Sequence, residues 1–359
     1  MKKLLFSIFV LGAVLVSCTE KSVLTVTVEN PADFDRKTDL VEVTLEEVIA
    51  KVKLGEGQVY VVKDSEGKIV PSQITNDGKL IFQAGVSAKD TSVFTIEPGV
   101  PQEFESKTYG RFITERKDDF AWENDRVAFR IYGPALIASD GPSNGIDAWY
   151  KRTNNLIIDK WYKDDLAGVA SYHEDHGEGQ DDYKVGRSLG AGAMAPYVND
   201  KLWLNENFAS QELLDNGPLR TTFKLTYKDL DVNGKSVAEN RTISIDAGSQ
   251  LSKIVQAYTI KEAMPVAAGL VKRVKGDSII YSTNYLVYAE PKSEMVDNVY
   301  LAIVMPDGIN KTPVDTYEVE NAKTKKKDSY SHVLAVTTQE PKKPVVYYTG
   351  YGWSKFGFP

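Results

Sequence analysis

The sequence predicts an all-β protein, in which a small N-terminal β module precedes a large antiparallel β unit. Three observations lead there. Apolar and polar residues alternate with a period near two through most of the chain, in runs rich in β-branched side chains. Turn signals such as Asp77-Gly78 and Asn233-Gly234 separate these runs, and such dipeptides supply the positive φ of a tight hairpin. No long helical pattern emerges. The best candidate is the short "EEVIAKV" that begins at Glu46.

The chain opens with Lys2 and Lys3, an apolar run from Leu4 to Val16, and then "LVSC" ending at Cys18. A run of about a dozen apolar residues is too short to span a bilayer as a helix and suits an export signal. "LVSC" resembles a bacterial lipobox, so residues 1–18 are expected to be a lipoprotein signal peptide and Cys18 the lipid-modified residue. Cys18 is the only cysteine, which rules out an internal disulfide. Membrane contact is then expected through the anchor alone. Exported surface lipoproteins of the Bacteroidetes type resemble one another in an acidic run after the cysteine. Here "CTEKS" offers one acid and one base, so a periplasm-facing anchor in the cell envelope is expected over a cell-surface one.

Residues 22–98 form the first module, in strands such as "VLTVTVEN", "QVYVVKD", "KLIFQAG" and "SVFTIEPG". The stretch "VKDSEGKIVPSQ", Val62 to Gln73, resembles the small N-terminal β-barrel that precedes the catalytic region of several polysaccharide-degrading enzymes, some rhamnogalacturonan lyases among them. Residues 99–112, with Pro101 and few periodic positions, read as a linker. Residues 113–359 carry many more short β patterns, including "RVAFRIYG", "SIIYSTNYLVYA" and "PVVYYTGYGW". Repeated antiparallel strands over such a length require two large packed sheets or a closed barrel. The chain has no short fixed-period repeat, which argues against a propeller or solenoid.

The formal charge is −7. Losing Lys2 and Lys3 makes it more negative. Nucleic-acid binding rests on neutralising phosphates with lysine and arginine, so nucleic acid is excluded as a partner.

Three long motifs carry a family resemblance: "ERKDDFAWENDRVAFRIYGPAL", "GIDAWYKRTNNLIIDKWY" and "YHEDHGEGQDDYKVGRSLGAGAMAPY". With them the chain resembles the DUF4861 family, a group common in gut Bacteroidetes, over nearly its whole mature length. "AWENDRVAFRIYGP" is also similar to the opening strand of galactose-mutarotase-like β-supersandwich domains. The resemblance implies a β-supersandwich and the neighbourhood of glycan breakdown, and little about the reaction.

The densest chemistry lies in "SYHEDHGEGQDDYKVGRS". His173 and His176 sit three apart among Glu174, Asp175 and Glu178. Imidazole ordinarily titrates near neutrality, so either ring could serve as general acid or base. A divalent metal, zinc or calcium, is a competing reading, with Asp175, Glu178, Asp181 and Asp182 as candidate oxygen ligands. "HEDH" lacks a zinc spacing, however, and Gly177 and Gly179 disfavour a helix. A solvated polar loop is the bland alternative. Tyr172, His173, His176, Lys184 and Arg187 form the candidate catalytic set. The planar fork of Arg187 matches a uronate carboxylate, and Lys184 or Tyr183 could assist proton transfer. Local ion pairs of Lys184 and Arg187 with the neighbouring acids are the alternative, and would contribute little.

Sugar rings stack on flat aromatic faces while their hydroxyls seek amides and charges. Trp149, Tyr150, Arg152, Asn154 and Trp161 are therefore the candidate substrate-binding residues, although tryptophan in β proteins is often core. The small-residue run "GRSLGAGAMAP" lacks a phosphate-cradle motif and suits close backbone approach. His332, alone in a strand, reads as structural, and the C-terminal Tyr347, Tyr351 and Trp353 read as core. No nucleophile elbow appears. The sequence thus points to a carbohydrate-active protein, a lyase or hydrolase on uronate-containing glycans. A non-catalytic glycan-binding lipoprotein is the alternative.

Overall fold

Alternation builds the largest sheet. Glu239–Asp246 and Leu251–Tyr258 bury every second side chain and pair antiparallel, with Ile243 opposite Ile254. In the computed structural model, which describes residues 22–357 apart from 274 and 322, these strands lie in an eight-stranded sheet. Its order is Ser210–Asn216, Arg220–Thr226, Glu239–Asp246, Leu251–Tyr258, Val345–Trp353, Val299–Val304, Tyr285–Ala289, Ser278–Tyr281. A five-stranded sheet packs against it, built on Ala191–Val198, Met264–Val271 and Lys327–Gln339. One apolar core, including Ile254, Val266, Leu301 and Tyr347, fills the space between them. The all-β class expected from the sequence is the class observed. The signal-peptide and lipobox reading, with Cys18, lies outside the described residues.

The small-residue run does what its composition suggests. Gly192 has φ +110, and a Cβ there would meet Thr349 Oγ1 at 2.0 Å. Tyr347 Oη donates to the Gly192 carbonyl at 2.9 Å and Thr349 Oγ1 to that of Ala191 at 2.8 Å. The strand thus lies close on the eight-stranded sheet because it carries almost no side chain there. His332 is fully buried in the strand Lys327–Gln339, and its Nε2 accepts the Leu189 amide at 3.0 Å.

A third sheet, called here the front sheet, orders Gly179–Gln180, Ile146–Lys151, Ala128–Ile131, Asp119–Asn124 and Thr108–Ile113. Its three central strands are buried on both faces. Phe120, Trp122, Phe129, Ile131 and Tyr150 join the main core. On the other face Ala121, Ala128 and Trp149 meet the helix Ile158–Leu166. This helix was not anticipated from the sequence. Ile158, Trp161 and Tyr162 are buried on one side of it, at spacings of three and four that define a helical stripe. Glu123 fastens its start by accepting the amides of Ile157 and Ile158 at 2.7 and 2.8 Å. The anticipated short helix near Glu46 is present as Leu45–Lys51, with Thr44 capping the Glu47 amide.

Residues 24–99 make two smaller sheets around a separate core that includes Val48, Phe82, Phe94 and Ile96. The expected linker is shorter than 99–112, because Thr108–Ile113 is already an edge strand of the front sheet. Gln73 ties the two units together. Its Oε1 accepts the amides of Leu219 and Arg220, both at 2.8 Å, and its Nε2 donates to the Arg220 carbonyl at 2.9 Å. Arg220 also pairs with Glu42 at 2.7 Å and Asp246 at 2.6 Å.

Candidate functional site

Period-two alternation gives the front sheet one apolar face and one charged face. In "DFAWEN", "AFRI" and "IDAWYK", the residues that avoid the main core are Asp119, Glu123, Arg130, Asp147 and Lys151, all buried. Arg130 and Asp147 stand directly opposite on paired strands. Arg130 Nε and Nη2 donate to Asp147 Oδ2 at 3.0 and 2.6 Å, and Nη2 also reaches Asp181 Oδ2 at 2.7 Å. Tyr132 Oη donates to Asp147 Oδ2 at 3.2 Å. Asp147 Oδ1 is buried without a partner among the described residues. Arg116 extends the cluster outward, donating to Asp119 Oδ2 at 2.6 Å and to Tyr172 Oη at 3.2 Å.

Two carboxylates share one guanidinium here, and the electrostatics follow. Burial raises Asp181, and the neighbouring Asp147 adds to it. Arg130 and His173 offset only part, and the carboxyl is pushed up to about 7. Asp119 is raised by burial, against the pull of Arg130 and Arg116. Tyr132 is held well above its usual range by burial and then by Asp147, so it stays protonated and can act as a donor. Burial opposes the charge of Arg130, but Tyr132, Asp147 and Asp181 hold it on.

His173 caps this group. Its ring packs on Tyr172 with centroids 4.6 Å apart. Its Nδ1 lies 2.9 Å from the Asp181 carbonyl and 3.6 Å from Asp181 Oδ2. A carbonyl can only accept, so Nδ1 carries the proton and Nε2 of the neutral ring is left as the basic nitrogen. The side chain is 59% exposed.

Arg116 and Tyr132 also form the wall of a cleft of about 370 Å³. Ser143, Arg187, Asp328 and Tyr330 line its other sides. That volume lies in the range of small-ligand sites.

The expected site residues distribute unevenly. Tyr172 and His173 belong to the cluster. Arg187 lines the cleft, but its Nη1 and Nη2 donate to the carbonyls of Asn205 and Leu204 at 2.5 and 2.8 Å, so its fork is committed to backbone. Lys184 faces a separate cavity with Tyr150 and Asp182. His176 lies on a shallow depression beside Trp161 and Glu178. The five residues expected as one catalytic set therefore do not share one trough.

The aromatic platform needs a larger correction. Trp149 is fully buried and Trp161 nearly so, stacked on each other with centroids 5.4 Å apart. Tyr162 and Tyr172 complete the packing. No sugar face reaches Trp149, because the unanticipated helix covers it. Arg152 is exposed and pairs with Asp175 at 3.0 Å. Asn154 is exposed and donates to the Asp125 carbonyl at 2.8 Å.

The four acids expected around a cation also diverge. Asp175 accepts the amides of Gly177 and Gly179, and Glu178 pairs with Lys160. Asp181 turns to Arg130, while Asp182 faces the cavity of Lys184. Among the described residues no group of three histidine, cysteine or acidic side chains is placed to hold a metal ion.

Arg116, Arg130, Tyr132 and Asp147 were missed from the sequence. The signal was available. In "DFAWEN" and "AFRI" the phase that carries the charges opposes the phase that carries Phe, Trp and Ile, and charged residues in a strand buried on both faces must partner one another.

"Uncharacterized protein P7" of Formosa agariphila is 30% identical over 377 residues, covering 99% of this chain and 92% of that protein. Among solved structures, an alpha-mannosidase from Enterococcus faecalis V583 superposes with TM-score 0.40 at 7% identity, over 92% of this chain and 43% of that one. The heparinase III BT4657 gene product gives TM-score 0.36 at 10% identity, over 72% of this chain and 37% of that one. The chain thus spans less than half the length of either structure. Residues 28–359 match the family described as "Domain of unknown function (DUF4861)", and the protein belongs to that family.

Proposed function

We propose that the protein is a carbohydrate-active enzyme that cleaves uronate-containing oligo- or polysaccharides, with its reacting groups on the charged face of the front sheet. One observation carries this reading. An exposed imidazole with a fixed tautomer, a carboxyl pushed up to about 7, two phenols and two guanidinium groups form one contacting cluster, of which Arg116 and Tyr132 line a cleft. Perturbed titration in a cleft is a mark of functional sites.

In a lyase reaction Arg116 would neutralise the uronate carboxylate and so acidify the α carbon. His173 Nε2 would take the α proton. The C–O bond at the β carbon would break as the C=C bond forms, and Tyr132 would protonate the departing oxygen. Asp181 holds the His173 ring in place through its carbonyl. A pure binder is less favoured, because the tryptophans that would form its platform are buried.

The test is incubation with a panel of uronate oligosaccharides, followed by reducing ends and the ultraviolet absorbance of the unsaturated product. His173→Ala should lower kcat by roughly 100-fold or more while Tm stays near wild type, since the ring is mostly exposed. Saccharide binding with no product from any substrate would defeat the enzymatic reading. Reducing ends without the unsaturated chromophore would replace the lyase by a hydrolase.

A further inference from the structure

We propose that the cavity on the other side of the segment 181–184 is a second binding site, for a monosaccharide-sized polyol bearing one carboxylate. Consecutive residues serve the two places: Asp181 turns to Arg130, while Asp182 and Lys184 line a cavity of about 210 Å³ together with Tyr150, Arg273 and Glu290. These side chains come from distant parts of the chain, and their bonds hold them in place. Arg273 Nε donates to Glu290 Oε1 at 3.0 Å and Nη1 to the Lys184 carbonyl at 3.2 Å. Its guanidinium lies 5.0 Å from the centre of the Tyr183 ring. Tyr150 Oη donates to the second Glu290 oxygen at 3.4 Å.

What remains unmatched defines the ligand. Arg273 Nη2 has no acceptor among the described residues, and Lys184 Nζ forms no ion pair among them. Both suit a carboxylate. Asp182 has no ion-pair partner among them either, and a carboxylate there accepts hydroxyl protons. Burial raises Glu290 while Arg273 and Tyr150 hold its charge, and with both oxygens occupied by these donors it serves to orient them towards the cavity. The cavity is too small for more than about one sugar ring. This site does not depend on catalysis at His173.

The experiment is calorimetric titration of the full chain with glucuronate, with glucose as the neutral control. Wild type should take up two glucuronates, one in the cleft and one here. Lys184→Gln, a change at an exposed side chain, should weaken one of the two about threefold or more. Arg273→Gln should abolish that one, and neither variant should alter the other. Glucose should bind at least about tenfold more weakly, for want of charge-assisted bonds. An unchanged glucuronate isotherm in Lys184→Gln and Arg273→Gln overturns the proposal, as does glucose binding of equal strength. Failure of the cleft reading looks different: wild type then binds a single glucuronate that Arg273→Gln removes.

Discussion

Asp181 and His332 illustrate how burial acts in opposite directions on an acid and a base. Asp181 titrates near 7 in the folded protein and near the ordinary carboxylate range when unfolded. Between about pH 4 and 7 the folded state therefore binds more protons, and this group makes stability fall as pH rises. His332 is pushed down to about 4 by burial, with Arg273 adding to it. Between about pH 4 and 6.5 the unfolded state binds more protons, so stability rises with pH, by about 3 kcal/mol in all. Protonating Nε2 would also break its bond from the Leu189 amide. Thermal melts across pH 4–7 should show Asp181→Asn steepening the loss of Tm on acidification, because the His332 slope is then unopposed. His332→Gln should flatten it. Identical profiles for wild type and Asp181→Asn would contradict the assigned carboxyl environment. Among residues, the sequence alone marked Tyr172 and His173, because imidazole and phenol are conspicuous. It could not separate His173 from His176, since what distinguishes them is one carbonyl, that of Asp181, brought back to His173 by the loop that follows it.

The front sheet and its covering helix explain why the aromatic residues misled. Tryptophan near lysine, arginine and asparagine suits a sugar platform and a helix-covered core equally well in one dimension. The spacing of Ile158, Trp161 and Tyr162 favours a helix, but Trp161 beside Lys160 and Lys163 equally suits a sugar subsite. Trp149→Ala should cost about 3–5 kcal/mol of stability, read as a large drop in Tm. A platform role would instead raise KM at constant Tm. Glu123 is the second test of this element. It pairs with buried Lys151 at 2.8 Å and holds the helix start. Glu123→Ala leaves Lys151 as an unpaired buried cation and should destabilise by about 3–5 kcal/mol. A melt shifted by less than a degree would show that the helix is held by something else.

At the scale of the molecule, alternation and turn dipeptides made the all-β class legible, since each strand declares itself locally. The charged face was not legible in the same way. It needs the register that sets Arg130 against Asp147 and the return of Asp181 from a later loop. The joint between the two units was hidden for the same reason. Gln73 sits at the end of a turn-rich motif, yet its amide meets backbone about 150 residues away. Gln73→Ala leaves those buried amides unpaired and should cost about 1–3 kcal/mol, with faster proteolysis between residues 100 and 107. Unchanged cleavage there would place the joint elsewhere.

The most direct test of the account compares His173→Ala with His176→Ala on one uronate oligosaccharide that the wild type cleaves. The two histidines are three residues apart and both exposed, so folding is little affected in either. Product formation should drop roughly 100-fold or more in His173→Ala and stay within about twofold of wild type in His176→Ala. Loss of activity in His176→Ala with full activity in His173→Ala would contradict the assignment of the charged face of the front sheet as the reacting site.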